Sequence, residues 1–167
     1  MSRSSPNTTT HPSPAAAAAR SLAGGASGER IDLRFPSDPA NLAPAREALE
    51  KLALTGGLDA TAAGEIGLVV NEALANVMRH AYRGATDKPV ELTAWWQGDD
   101  LVVKIRDWGS GVHPLEHRPH PEKHNPLKPG GLGLICLKKL MHEVEFAPQP
   151  DGMLLTMKRK RTPVTHP

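Results

Sequence analysis

Cysteine is nearly absent: a single one, Cys136, occurs in 167 residues, so the chain has no internal disulfide and no cysteine-built zinc module. Aromatic residues make up only 4%, which leaves the core to Leu, Val, Ile and Ala. No apolar run approaches the roughly 20 residues needed to span a bilayer, so a membrane is not an expected partner. Charge of one sign is also missing. The 20 Lys and Arg stand against 18 Asp and Glu, and a formal charge of +2 gives no reason to expect direct nucleic-acid binding. A lone thiol fits a reducing, cytoplasmic compartment. What remains, 39% hydrophobic and 23% charged residues, suffices for one domain with its own core.

Residues 1–28 are rich in Ser, Thr, Pro, Ala and Gly, with no sustained apolar pattern. Such a segment buries too little surface to offset its ordering entropy, and a disordered tail is expected. Pro6, Pro12 and Pro14 interrupt the run that a signal peptide needs. The domain is expected over 29–161, with 162–167 as a flexible end. Ile31, Leu33 and Phe35 alternate with Asp32 and Arg34 as in a half-buried strand. Ser37 or Asp38 can cap a helix carrying Leu42, Ala45, Leu49 and Leu52. A second helix, from about Asp59 to Tyr82, carries the stripe Ile66, Val69, Val70, Ala73, Leu74, Val77 and Ala81. Strands around Val90–Trp96 and Leu101–Asp107 follow, then a Gly-, Pro- and His-rich loop, a helix over Leu132–Met141 and a closing hairpin. This order predicts an α+β sandwich: one mixed, mostly antiparallel sheet with helices packed on one face.

Three blocks carry chemistry. Glu72, Asn76 and His80 recur at steps of four and so share one helix edge, where they suit a polar ligand or a plain solvated edge. In the second block, Asp107 ends a strand, and Gly109 and Gly111 follow at alternate positions. Glycine allows close backbone approach, and the carboxylate can accept a hydrogen bond from an amine-bearing base, but a tight turn has the same composition. Third, Gly130, Gly131, Leu132 and Gly133 open the last long helix, where backbone amides suit an anion or simply a hinge. No P-loop is present, and the glycine run follows a loop rather than a strand, which makes it a poor dinucleotide fingerprint.

Taken together, in this order and spacing, the blocks resemble the Bergerat-type ATP-binding fold shared by gyrase, histidine kinases and MutL. Within that superfamily the chain is most similar to the anti-sigma factor serine/threonine kinases. The resemblance covers about residues 30–160 and rests on Asn71-Glu72-Ala73-Leu74-Ala75-Asn76 leading to His80-Ala81-Tyr82. It implies ATP and magnesium as cofactors, with Asn76 holding the metal and Glu72 activating the acceptor hydroxyl. Asp107 would bond the adenine amine, Gly109 and Gly111 would lie beneath the nucleotide, and Gly131, Leu132 and Gly133 would form the hinge after an ATP lid at about 112–130. It also implies phosphorylation of a STAS-type anti-anti-sigma protein, sequestration of a sigma factor, and room for a homodimer. A nucleotide-dependent binding switch without phosphotransfer is the alternative. A histidine-kinase module is disfavoured, because no long dimerisation helix with a phospho-acceptor His precedes residue 30; a larger ATPase machine is disfavoured for want of a transducer domain.

Two departures from the family stand out. The family often places Thr after the glycine opening the last strand; here Met153 follows Gly152, so Thr156 takes over the water-mediated adenine contact or that contact is lost. The loop also holds His113, His117, His120 and His124 among five prolines. Four histidines can bind zinc or nickel, but the prolines oppose a helix presenting them on one face, which favours a polar lid in which Lys128, Arg118 and Lys123 steer phosphate. Deleting residues 1–28 should shift the melting temperature little, because that segment has no core pattern. A drop of many degrees in a thermal melt would show that the segment docks on the domain.

Overall fold

Alternation along each strand decides which side of the sheet the helices cover. Strand β1 (Arg30–Pro36) places Ile31, Leu33 and Phe35 on one face and Arg30, Asp32 and Arg34 on the other. The structure, a computed structural model, describes residues 30–110 and 132–161, with side chains in the last helix from Cys136 onward. The expected tail, lid and flexible end lie outside the described residues.

After β1 come a 3-10 turn (Pro39–Asn41), α1 (Leu42–Thr55), α2 (Ala60–Asn76) and a π-helical turn (Val77–Ala81). They are followed by β2 (Pro89–Gln97), β3 (Asp100–Asp107), α3 (Leu132–Leu140), β4 (Glu143–Gln149) and β5 (Gly152–Lys160). The strands lie in the order β1-β2-β3-β5-β4, and every neighbouring pair is antiparallel. The expected mixed sheet is therefore antiparallel throughout: β4 runs along the outer edge and the turn at Pro150–Asp151 returns β5 against β3 in the opposite sense.

The core lies between one face of the sheet and the helices. Leu49 and Leu52 of α1 and Ile66, Val69, Val70 and Leu74 of α2 are buried against Leu92, Val103, Ile105 and Met157. Leu137 seats α3 beside α2. Two aspartates begin the helical segments. Asp38 accepts the Ala40 N–H at 2.8 Å and starts the 3-10 turn, so the predicted cap serves that turn and α1 proper begins only at Leu42. Asp59 accepts the Ala62 N–H at 2.8 Å and satisfies one of the free amides at the start of α2. The buried guanidinium of Arg159 bonds Glu65 of α2 at 2.7 Å and the Leu140 carbonyl at the end of α3, tying β5 to both helices. No helix among the described residues is long and apolar enough to cross a membrane.

Adjacent Trp95 and Trp96 point to opposite faces, as strand geometry requires. Trp96 packs on the helix side over Gly56, and its indole N–H donates to the Leu52 carbonyl at 3.1 Å. Trp95 lies on the open face, with the cations of Arg30 and Lys104 at 5.3 and 5.6 Å from its ring centre. A Cβ on Gly56 would fall inside the Trp96 indole. Gly56→Ala should therefore cost about 1–3 kcal/mol, the usual penalty for overpacking, seen as a lower urea midpoint at unchanged m-value. An unchanged midpoint would mean that the indole moves aside freely.

Candidate functional site

Helix α2 has two sides with different tasks. Ile66, Val69, Val70 and Leu74 have no exposed surface, whereas Glu72 and Asn76 lie half-buried on the outer edge. Beyond Asn76 the backbone widens into the π-turn, in which the Tyr82 N–H bonds the Val77 carbonyl, five residues back, at 3.0 Å. The step of four from Asn76 to His80 therefore runs through π-helical rather than α-helical backbone. His80 is exposed, and no hydrogen bond or ion pair joins it to Glu72 or Asn76.

Arg79 occupies that edge instead. Its Nε donates to the Ala75 carbonyl at 3.2 Å, and its Nη2 lies 3.3 Å from Asn76 Oδ1 and 3.9 Å from Glu72 Oε2. The sequence reading passed over this residue, although its position seven after Glu72 and three after Asn76 is a same-edge spacing.

The end of α2 is joined to the end of β3. The Tyr82 hydroxyl accepts the Trp108 N–H at 2.7 Å and donates to the Pro89 carbonyl. Gly109 passes so close to Ala81 that a Cβ there would meet the Ala81 carbonyl. Glycine at 109 is therefore a packing requirement. One residue before this junction is complete, Asp107 is only 5% exposed, and its Oδ1 accepts the Gly109 N–H at 2.9 Å. Burial pushes its carboxyl above the usual carboxylate range; the Gly109 amide, Arg106 and the Met153 backbone pull it back in part. Arg106 donates to the Asp107, Asp151 and Met153 carbonyls and pairs with the Asp151 carboxylate, so it clamps the β5 turn beside Asp107.

Thr156 does not join this group. Asp107 is paired across the sheet with Met153, whereas Thr156 is paired with Lys104. Three residues separate positions 153 and 156, an odd step, so Thr156 faces the open side of the sheet while Asp107 faces the helices. A contact to a ligand at Asp107 through Thr156 is thereby corrected. Gly111, Lys128 and Gly131 lie outside the described residues. Leu132 and Gly133 form the first turn of α3. The histidine-rich stretch also lies outside.

A depression of about 300 Å³ lined by Glu91, Thr93, Lys104, Arg106, Trp108 and Leu154 lies on the open face. It is separated by the sheet from Glu72, Asn76 and Asp107. The candidate site is assigned to the helix side because the oxygen donors and the buried carboxylate are there.

A match to the family described as histidine kinase-like ATPase domain spans residues 35–159. The serine-protein kinase RsbW of Listeria monocytogenes is 27% identical over 125 residues, covering 71% of this chain and 79% of that protein. The anti-sigma F factor of Oceanobacillus iheyensis is 28% identical over 89 residues, 52% of this chain and 61% of that one. Among solved structures, the RsbU and RsbW domains of a Mycobacterium tuberculosis protein superpose with a TM-score of 0.58 at 15% identity. That likeness covers 78% of this chain and 32% of the other, and it bears on the fold alone. The α+β architecture and the family resemblance read from the residues are borne out.

The raised Asp107 carboxyl has a consequence for stability. The folded chain holds this proton to higher pH than the unfolded chain, so folding takes up a proton between the ordinary value of 3.8 and the raised one. Stability linked to this group is present below that window and is lost as pH rises through it. Asp107→Asn, which keeps an acceptor for Gly109, should therefore melt higher than wild type at neutral pH, and the advantage should shrink on acidification. Melting curves from pH 3.5 to 7.5 read this directly; an advantage that grows in acid would reverse the sign.

Proposed function

The chain belongs to the histidine kinase-like ATPase domain family, and we propose that within it the chain is a magnesium- and ATP-dependent serine/threonine protein kinase of the anti-sigma type. Its proposed acceptor is a Ser or Thr of a STAS-type anti-anti-sigma protein, and the same chain would sequester a sigma factor in the cytoplasm. A homodimer is the assembly this reading leaves room for.

One observation carries the reading: the α2 end is fixed to the β3 end through Tyr82 and Gly109. The edge bearing Glu72 and Asn76 therefore shares its side of the sheet with the buried Asp107 carboxylate. The donor set fits magnesium ATP. An amide oxygen and a carboxylate are hard oxygen ligands of the kind magnesium prefers, and these two already draw the guanidinium of Arg79. When bound, magnesium ATP supplies the γ-phosphoryl group and neutralises the charge that develops in its transfer.

The chain's own residues take distinct parts. Asn76 would hold the metal, and Asp107, fixed by the Gly109 amide, would accept the exocyclic amine of adenine, which guanine does not offer at that position. Gly109, with Gly111, would let the backbone lie close beneath the base. Gly131, Leu132 and Gly133, at the entry to α3, would turn backbone amides toward phosphate, with Lys128 adding charge. Glu72 would orient the acceptor hydroxyl and take its proton.

Two variants separate these roles. Glu72→Gln keeps size and hydrogen bonding but loses the basic carboxylate. It should bind ATP and partner as wild type does, yet transfer phosphate about 10²–10⁴-fold more slowly if general-base catalysis is its full role. Asn76→Ala should weaken magnesium-ATP binding itself. Radiolabel transfer and calorimetry measure the two effects. Transfer by Glu72→Gln at the wild-type rate would make Glu72 structural. A wild type that binds its STAS partner without phosphorylating it would favour the switch alternative.

A further inference from the structure

We infer that Arg79 is a positioning residue that competes with the divalent cation for Asn76 and holds Glu72 until that cation arrives. The inference rests on the kinase reading above and adds a part that reading does not assign. Arg79 is anchored through its Nε to the Ala75 carbonyl at 3.2 Å, so its stem stays on the helix edge while the outer nitrogens face Glu72 and Asn76. The Nη2 donates to Asn76 Oδ1 at 3.3 Å and lies 3.9 Å from Glu72 Oε2. These are the two oxygens to which the reading gives the metal and the acceptor proton.

A guanidinium and a dication repel each other, and one amide oxygen cannot serve both at full strength. Binding of the metal at Asn76 therefore expels Arg79 from Asn76 and loosens it from Glu72. The magnitudes allow this exchange. With side chains 40% and 27% exposed, the Arg79–Glu72 pair is a weak, solvent-screened one, easily displaced by a divalent ion. The arrangement links two events: Glu72 is held by a neighbouring cation until the phosphate-bound metal takes over at Asn76. Arg79 lies in the π-turn, three residues after Asn76 and seven after Glu72.

The test measures ATP affinity of the full chain by calorimetry with saturating magnesium and with chelator, for wild type, Arg79→Gln, Arg79→Lys, Asn76→Ala and Asn76→Ala combined with Arg79→Gln. Competition predicts that Arg79→Gln raises the ratio of metal-bound to metal-free affinity by about two- to fivefold, the range of an exposed pair. Arg79→Lys, which keeps the charge, should restore much of the wild-type ratio. In the Asn76→Ala background, Arg79→Gln should leave the ratio unmoved, because the shared oxygen is gone. Circular dichroism melts check that each variant folds. Equal changes in both affinities, or a ratio that Arg79→Gln leaves at the wild-type value, overturn this inference and leave the kinase reading standing. Absence of ATP binding by wild type in either condition overturns both.

Discussion

The Tyr82 hydroxyl is the atom on which the arrangement of the site depends. It accepts from Trp108 and donates to Pro89, so it joins the segment leaving β3 to the first residue of β2, at the point where the π-turn ends. To donate, the phenol has to stay neutral, and burial ensures this by raising its pKa against the opposing pull of the Trp108 amide. Removing it would leave an amide and a carbonyl without their partner at one junction. The glycine at 109 completes the contact by letting the chain pass against Ala81. These two features fasten the chain leaving α2 to the chain leaving β3, beside the carboxylate of Asp107.

Asp107 is a cost that the core has to absorb. It continues the inward-facing row of Leu101, Val103 and Ile105 on β3, where an apolar side chain would be favoured. The Gly109 amide offsets part of the desolvation, and Arg106 holds the adjoining turn from the other face of the sheet, stacking on Trp108 at 4.7 Å. The local rule of an apolar inner row is broken at one residue. That residue also lies at the junction with α2, and a break in a local rule marks a candidate site.

Much of the fold was legible because alternation and helical spacing report burial directly. Phe35, Leu92, Val103 and Ile105 lie where period two places them, and Leu49, Ile66 and Leu74 where the helical period does. Register was harder. Thr156 was the nearest threonine in sequence to the missing one, yet three residues is an odd step and puts it on the wrong face. The π-turn was not read from the apolar pattern: the sequence reading ran one helix to Tyr82, and Met78 within the turn is buried as a helical core residue would be. Arg79 has the spacing of the Glu72–Asn76 edge, but spacing alone does not say which of two neighbouring cations, Arg79 or His80, turns toward Asn76. The mostly antiparallel sheet was legible from the two hairpins, but element order alone does not say on which side of β3 the last hairpin returns.

The division of α2 into a sealed inner side and an accessible edge has a consequence for how the site works. Ile66, Val69, Val70 and Leu74 fix the helix axis against the sheet, so the backbone positions of Glu72 and Asn76 are set by the core rather than by a ligand. Only the outer side chains have freedom, and their contacts are weak: 3.3 Å to an amide oxygen and 3.9 Å between charges. A rigid base with loosely held polar ends suits a site that exchanges one cation for another without refolding. Changes confined to that edge leave the buried stripe untouched. Their effects on binding and transfer can therefore be read as chemistry at the edge, whereas any change at Tyr82 or Gly109 mixes chemistry with the loss of the junction itself.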